Sequence, residues 1–283
     1  MAGFRELLAV EWDDHAVDCF RLNFPDVPVY HGDIATLSVE KCCDLAGIAP
    51  GELDVMDGSP PCQGFSTAGS RQMEDPRNAL FLEFVRLLDG LQPRAFVMEN
   101  VPGMVKGKMK LVFAEAIVAM KACGYNVAAR VLNAAHYGVP QDRHRVIFVG
   151  VREDLGVKPS YPLGVRDALG VRDALGVRDA LGVRQGWGQH HGIRNEQFNH
   201  RFRSLDLPCP TLTKTRPPMI AEGDHERELT LGECSIIGSY PDKWQWTGIA
   251  RSDYARIGNS VPPLFMKAIA ETLRREVLSH GNA

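Results

Sequence analysis

The chain contains 283 residues, of which 45% are apolar and 24% are charged, and its formal net charge is −3. This composition is typical of a globular protein and excludes collagen-like, disordered and disulfide-scaffold classes. No apolar run approaches the ~18 residues of a membrane-spanning helix, and the first residues carry no signal-peptide pattern. We therefore expect a cytoplasmic protein without a membrane anchor.

Strands and helices are predicted to alternate along the first 150 residues. The candidate strands are the short apolar runs Leu7–Val10, Leu53–Asp57, Ala95–Met98 and Val146–Val149. The candidate helices are His15–Phe24, Ala79–Leu88 and Val112–Ala122. This alternation predicts an α/β fold with a doubly wound, mostly parallel sheet, in which ligands bind at the carboxyl ends of the strands.

The sequence changes character after residue 150. Residues 163–184 contain the hexapeptide LGVRDA three times, followed by LGVR. We interpret this array as a duplicated short helical segment that is tolerated as a surface insertion. Residues 185–227 show little periodicity and favour loops.

A final helix is predicted from Pro262, because proline is favoured at the start of a helix and apolar residues follow at helical spacing. Its apolar face consists of Leu264, Phe265, Ala268, Ile269 and Leu273. Such a face needs a sheet to cover, so we expect this helix to return to the first domain. The predicted domains are a catalytic domain of residues 1–150 and 255–283 and a smaller, loop-rich domain of residues 151–254.

Charge and cysteine content bear on binding partners. Residues 1–60 carry three Lys and Arg against twelve Asp and Glu, whereas residues 98–145 carry seven against three, and basic residues also gather in residues 184–227. The basic stretches predict binding to a polyanion, and a solvated face of mixed charge is the alternative. The seven cysteines form no CxxC pair, which predicts free thiols and neither a disulfide framework nor a metal site.

Cys62 follows the second predicted strand within the sequence GSPPCQGFS. An inert buried thiol is the ordinary interpretation of a single cysteine. Two prolines that fix the backbone, polar neighbours and a glycine-hinged loop instead favour an accessible nucleophile with thiolate character.

Two further groups of polar residues lie beside predicted strands, one directly after the third strand and one directly before the fourth. Glu99 and Asn100 come directly after the third strand, where a desolvated carboxylate can share a proton, although a helix cap is the alternative. Gln141, Arg143 and Arg145 precede the fourth strand and share one face of an extended chain. Guanidinium groups there can bind carboxylates, carbonyls or phosphates.

Four sequence blocks, PPCQGFS, ENV, QDRHR and RIGNSV, resemble in order and spacing the signature blocks of the DNA cytosine-5 methyltransferases of restriction–modification type. The resemblance covers nearly the whole chain. It implies a Rossmann-like, S-adenosylmethionine-dependent fold, a double-stranded DNA substrate and no metal. It also implies that Cys62 attacks C6 of cytosine, that Glu99 binds N3 and the exocyclic amine, and that Arg143 contacts the base, with Asn100, Gln141 and Arg145 in support.

The chemistry of the reaction explains these residue types. C5 of cytosine is a poor nucleophile, but addition of a thiolate at C6 gives C5 carbanion character while Glu99 holds the N3 side protonated. Methyl transfer, loss of the C5 proton and elimination of Cys62 then restore the aromatic ring. Because an enzyme cannot reach a base inside the stack, the cytosine must be flipped out.

The resemblance also predicts the binding residues. The cofactor residues are expected to be Glu11, Trp12, Asp33, Ile34, Pro60, Asn259 and Val261. The DNA-binding residues are expected to be Ser66, Arg71, Arg201, Arg203, Thr211, Leu212, Lys214 and Arg216, the last six within the target-recognition part of the chain.

One block of the family has no counterpart in this sequence, namely the first strand and the glycine-rich FxGxG loop that binds the methionine end of the cofactor. Without them, the strand of Glu11 and the strand that leads to Cys62 should border an unfilled slot in the sheet. Three alternatives are open: a misassigned start, a second polypeptide that supplies the block, or a non-catalytic remnant that binds DNA. An RNA cytosine-5 methyltransferase is a further alternative, disfavoured by the size of the variable region.

Overall fold

The computed structural model describes residues 1–60, 76–105, 107–164, 176–182, 192–194, 204–222 and 225–280. The strands are β1 (Ala9–Glu11), β2 (Val29–His31), β3 (Val55–Gly58), β4 (Ala95–Asn100), β5 (Tyr125–Asn133), β6 (Gln141–Asp142), β7 (His144–Arg152), β8 (Gly192–Arg194), β9 (Cys209–Pro210), β10 (Met219–Glu222) and β11 (His225–Glu228). The helices are α1 (Asp14–Asn23), α2 (Val39–Ala46), α3 (Pro76–Leu91), α4 (Lys110–Ala122), α5 (Val177–Leu181), α6 (Leu231–Ile237), α7 (Ala250–Asn259) and α8 (Pro263–Glu276). None of the helices in these ranges is long and apolar enough to cross a membrane.

The largest sheet has the strand order β3–β4–β7–β5. β3 and β4 are parallel, whereas β7 is antiparallel to both of its neighbours. β4 is covered on both faces, and its side chains alternate between them. Phe96 and Met98 enter one core cluster, while Ala95 and Val97 enter another.

Helices cover both faces of this sheet. α3 and α4 pack on one face through Phe84, Leu88 and Met120. α8 packs on the other face through Phe265 and Ile269, which are both buried. The prediction that the C-terminal helix returns to the sheet is therefore confirmed.

β1 and β2 form a separate parallel pair in which Glu11 lies opposite His31. Within the described part of the chain, β1 pairs with no strand other than β2, and β3 with none other than β4. Val10 of β1 and Met56 of β3 nevertheless contact the same core cluster, which contains Leu37. The two sheets thus border a shared core without backbone hydrogen bonds between their strands.

A separate cluster, here called the third core cluster because it lies apart from the two core clusters of the main sheet, is formed by residues between 177 and 257. Its buried side chains are Val177, Ile193, Leu205, Cys209, Leu212, Ile220, Leu229, Cys234, Ile237, Tyr254 and Ile257. Beside it, β8, β10 and β11 form an antiparallel sheet. This cluster shares no residue with the two clusters of the main sheet, although the predicted domain boundaries themselves remain predictions.

The α/β fold and all predicted strands and helices are confirmed, with ends that differ by a few residues. Two features differ from the prediction. β7, which contains the predicted strand Val146–Val149, is antiparallel to its neighbours. β5 is absent from the predicted strands because its nine residues are mostly exposed or half-buried and form no continuous apolar run.

The repeat array differs from the expected surface insertion in the part that the structure describes. α5 lies inside the array, and Val177 is fully buried in the third core cluster. A Cβ atom on Gly176 would lie 2.7 Å from the carbonyl oxygen of Asp206, so this position accepts no side chain. At least one copy of the repeat is therefore a packed element and not a tolerated insertion.

Candidate active site

Glu99 and Arg145 form an ion pair on neighbouring strands β4 and β7. Arg145 Nε lies 2.5 Å from Glu99 Oε1, and each side chain is only 13% exposed. Burial lowers the pKa of Arg145, and the charge of Glu99 opposes that shift. Because solvent screens such a pair much less than a surface pair, the carboxylate of Glu99 is held in a fixed position.

Asn100 connects this pair to the segment that leads to Cys62. Its Nδ2 donates a hydrogen bond of 2.9 Å to the carbonyl oxygen of Pro60, and its Oδ1 accepts one of 2.9 Å from the amide of Val101. Asn100 and Pro60 are both buried, so the end of this segment is fixed against β4. Several predicted site residues lie outside the described residues, namely Cys62, Ser66, Arg71, Arg201 and Arg203.

A cavity of about 260 Å³ lies at the carboxyl ends of β3 and β4. Two carboxylates, Asp57 and Glu99, line it together with Gly58, Ser59, Val97, Ile147, Val261 and Met266. Asp57 is exposed to solvent at this cavity, and desolvation by the protein around it raises its pKa. A cavity with two acidic groups and apolar walls suits a ligand that is cationic and partly apolar.

A larger groove of about 470 Å³ lies on α3 and α4 around Leu82 and Ala119. None of the predicted site residues that the structure describes lines this groove. We therefore place the site at the smaller cavity, where the acidic groups and the strand ends are.

Glu11 and Asp33 lie at the adjacent carboxyl ends of β1 and β2. Glu11 Oε1 accepts hydrogen bonds from the amides of Trp12 at 2.8 Å and Asp13 at 3.0 Å, which orient the carboxylate. Asp33 Oδ1 accepts one of 2.9 Å from Ala35 and caps the short turn that begins at the half-buried Ile34. The indole of Trp12 is 72% exposed and is available for stacking.

Arg143 does not have the position expected of a residue that contacts the base. It is 1% exposed, and its Nη1 and Nη2 donate hydrogen bonds of 3.0 and 2.9 Å to the carbonyl oxygens of Leu212 and Gly258. Burial, with a further contribution from the cation of Arg145, lowers the pKa of Arg143 to about 9, so it remains charged at pH 7. In this structure Arg145, expected only in support, is the arginine that contacts Glu99.

Thr211 and Leu212 are held by the strand that leads to Arg143. Thr211 Oγ1 donates a hydrogen bond of 2.7 Å to the carbonyl oxygen of Asp142, and the amide of Leu212 donates one of 3.1 Å to Gln141 Oε1. Leu212 is fully buried, so its side chain is not presented to DNA as expected.

The remaining predicted residues lie near these elements. Asn259 ends α7 and is exposed, and Val261 lines the cavity. Lys214 and Arg216 are exposed, and Arg216 Nε lies 2.6 Å from Glu228 Oε1. Among the residues that the structure describes, no group of His, Cys, Asp or Glu could hold a metal ion.

Sequence reasoning missed Asp57, Ser59 and Gly258. Asp57 and Ser59 alternate at the end of β3, so strand periodicity could have placed both on the cavity side. A Cβ atom on Gly258 would lie 2.3 Å from the backbone of Thr213, and no local sequence signal indicates this contact, because it joins distant segments.

The comparisons with known proteins agree with this geometry. Residues 1–174 and 178–275 match the family model described as C-5 cytosine-specific DNA methylase. The Type II methyltransferase M1.HphI of Haemophilus parahaemolyticus is 36% identical over an alignment of 305 residues, and the alignment covers 96% of this chain and 81% of the relative. The Type II methyltransferase M.AquIA of Picosynechococcus is 46% identical over 170 residues, which cover 57% of this chain and 68% of the relative.

A solved structure gives the same result for the fold. The S. pombe Dnmt2 methyltransferase superposes with a TM-score of 0.71 at 19% identity, over 96% of this chain and 91% of that protein. At this identity the match concerns the fold alone, which is that of the methyltransferases that use S-adenosylmethionine. The family match, the related Type II enzymes and the shared fold together establish that this chain belongs to the C-5 cytosine-specific DNA methylase family.

Proposed function

We propose that this chain transfers a methyl group from S-adenosylmethionine to C5 of a flipped-out cytosine in a specific sequence of double-stranded DNA, with Cys62 as nucleophile. The observation that carries the proposal is the buried Glu99–Arg145 pair, which lies beside a cavity and is joined through Asn100 to the segment that leads to Cys62. The protein acts on chromosomal DNA in the cytoplasm and needs no metal.

The roles of the side chains follow from the chemistry of the base. The Cys62 thiolate forms a bond to C6, while Glu99 holds the N3 side of the ring protonated, so that electron density moves to C5. After methylation the C5 proton leaves, the bond between sulfur and C6 breaks, and the aromatic ring is restored. We assign to Arg145, and not to Arg143, the task of orienting Glu99 toward the base.

The residues at the strand ends fit S-adenosylmethionine, which supplies an electrophilic methyl group when bound. Glu11 offers a fixed carboxylate to ribose hydroxyls, and Trp12 offers an exposed aromatic face to adenine. Asp33 and Ile34 lie at the neighbouring strand end. Asp57 and Val261 line the cavity with a carboxylate and an apolar wall, which suits the positive charge of a sulfonium group.

The first experiment tests the reaction and its nucleophile. The wild-type chain and Cys62→Ser are expressed in a host without C5-methylated DNA, and the DNA is sequenced after bisulfite treatment. The wild type should leave 5-methylcytosine at one defined sequence, and Cys62→Ser should leave almost none while it still binds duplex DNA, because phosphate contacts carry most of the affinity. Methylation by Cys62→Ser at the wild-type level would contradict the role of Cys62.

A second candidate function is that of a DNA-binding subunit that methylates only with a partner. The observation that favours it is the division between the β1–β2 pair and the β3–β4–β7–β5 sheet. Duplexes and RNA that contain 5-fluorocytosine separate the alternatives, because this base traps the covalent adduct. An adduct with DNA supports the main proposal, no adduct supports the subunit, and an adduct with RNA alone indicates an RNA methyltransferase.

A further inference from the structure

Residues 209–216, here called the recognition segment, are attached to residues 140–143 by the pairing of β6 with β9 and by at least four hydrogen bonds. The amide of Cys209 donates to the carbonyl oxygen of Pro140 at 2.9 Å. Thr211 Oγ1 donates to Asp142, the amide of Leu212 donates to Gln141 Oε1, and Arg143 Nη1 donates to Leu212, at 2.7, 3.1 and 3.0 Å. Three consecutive residues of the QDR sequence thus bind two adjacent positions of one distant segment, Thr211 and Leu212.

Most of these contacts are shielded from water, whereas Thr211 and Asp142 are half-buried. Gln141 and Arg143 are each 1% exposed, and Leu212 is not exposed at all. A buried polar group that loses its partner finds no water to replace it, so such contacts resist opening. The attachment is therefore a rigid one and not a surface contact.

Arg143 also fixes the other side of the recognition segment. Its Nη2 donates to the carbonyl oxygen of Gly258 in the last turn of α7. The absence of a side chain at Gly258 lets α7 approach the backbone of Thr213 and Lys214. One guanidinium group therefore joins the main sheet, the recognition segment and α7.

The same strand region leads directly to the acidic group of the site. Arg145 follows Arg143 by two residues, which is roughly 7 Å along an extended chain, and its guanidinium contacts Glu99. Within the recognition segment, to which Arg143 is hydrogen-bonded, Lys214 and Arg216 are exposed. Residues 141–145 thus connect the recognition segment, whose exposed side chains can contact DNA, to Arg145, which orients Glu99.

We propose that Gln141, Arg143 and Thr211 are positioning residues that couple the location of the recognition segment on DNA to the orientation of Glu99. This inference rests on the proposed function and deepens it. The three residues do not touch the base. They make the methylation rate depend on the sequence that the recognition segment has bound, so their loss lowers the rate on the correct sequence and relaxes discrimination against similar ones.

The test compares Thr211→Val with the matched control Thr272→Val. Thr272 is buried whereas Thr211 is half-buried, and its hydroxyl likewise donates to a backbone carbonyl oxygen, that of Ala268 at 3.0 Å within α8, away from the recognition segment. Methylation of a plasmid library with randomised sequences is measured by bisulfite sequencing. The ratio of rates on the correct sequence and on sequences that differ by one base pair is independent of the folded fraction.

Thr211→Val should lower this ratio by about fivefold, the factor that corresponds to one net hydrogen bond. Thr272→Val should leave the ratio unchanged, and Thr211→Ser, which keeps the hydroxyl, should restore it. Cofactor affinity, measured by calorimetry, should be the same in all three variants. Gln141→Met, which removes the oxygen that accepts from Leu212, is the second variant if Thr211→Val fails to fold.

The outcomes separate the inference from the proposed function. No 5-methylcytosine from the wild type would contradict the proposed function itself. The other decisive outcome is that the wild type methylates a defined sequence and that both Thr211→Val and Gln141→Met keep the wild-type ratio of rates. This outcome would overturn the coupling and leave the proposed function intact.

Discussion

At the scale of single residues, two carboxylates that line one cavity differ in their surroundings. Glu99 is paired with Arg145 and nearly buried. Asp57 lies at the end of the neighbouring strand, where burial raises its pKa. The pair with Arg145 fixes the position of Glu99, whereas desolvation penalises the charged form of Asp57.

Glu99→Gln should lower the rate of methylation by a factor of about 10²–10⁴, because the amide keeps hydrogen bonds but cannot share a proton with the base. The measurement is single-turnover transfer of a labelled methyl group to a duplex. The matched control is Glu83→Gln, which removes a carboxylate 2.6 Å from Arg86 on α3 and should leave the rate unchanged. A wild-type rate for Glu99→Gln would mean that the carboxylate is only structural.

Asp57→Asn should raise the melting temperature by a few degrees at pH 8. A carboxylate with a raised pKa in the folded state costs stability once it ionises, and this cost disappears as the pH falls toward the ordinary value of 3.8. The gain should therefore shrink as the pH is lowered from 8 toward 3.8. Asp54→Asn, which removes an exposed partner of Arg94, should show no such gain, and a loss of stability in Asp57→Asn at pH 8 would contradict the argument.

At the scale of elements, the repeat array places one short helix in a core. The copies are identical in sequence, and the structure packs Val177 of α5 against the third core cluster with Gly176 against Asp206. Any copy carries the same glycine and valine. The fold therefore needs one packed copy and does not distinguish which one it is.

Deletion of one copy, residues 164–169, should change the free energy of unfolding by less than about 0.5 kcal/mol, because the remaining copies can still supply α5. Val177→Ala should instead cost roughly 1–3 kcal/mol, since it opens space in a buried cluster. Urea unfolding of both variants measures the difference. A large loss on deletion would mean that further copies are packed as well.

At the scale of the whole molecule, the parallel strands form two sheets that share a core cluster. β1 and β2 carry Glu11 and Asp33, whereas β3 and β4 lead to the cavity with Asp57 and Glu99. Within the described residues, no strand bridges the two sheets. The proposed cofactor residues thus belong to two sheets whose relative position no ladder of hydrogen bonds fixes.

A segment of the form strand–FxGxG–helix, fused ahead of Met1 or co-expressed as a peptide, should raise the affinity for S-adenosylmethionine and the methylation rate together. A parallel strand between β1 and β3 would satisfy backbone groups of both and fix the two sets of cofactor residues. Calorimetry of cofactor binding with and without the segment measures the effect. The control is the same segment with proline in its strand, which cannot complete the ladder.

Tight cofactor binding and full turnover by residues 1–283 alone would contradict this prediction. In that case the adenosine contacts of Glu11, Trp12 and Asp33 and the cavity beside Glu99 would suffice for binding. The same measurement therefore decides whether the divided sheet limits activity.

The sequence by itself determined three of the four strands of the main sheet and the placement of Glu99. Apolar runs predict β3, β4 and β7 because a strand covered on both faces contains almost only apolar residues, as Ala95–Met98 does. A carboxylate that follows such a strand lies at the edge of the sheet where ligands bind. Both inferences depend on residues that are neighbours along the chain.

Only the tertiary structure decided the roles of the two arginines and of the repeat. An extended chain would direct Arg143 and Arg145 to one face, and only the distant segments that lie against each guanidinium decide what it binds. Arg143 therefore binds Leu212 and Gly258, and Arg145 binds Glu99. The hexapeptide likewise gives no local signal that Val177 packs in a core, because contacts between distant segments leave no local pattern in the sequence.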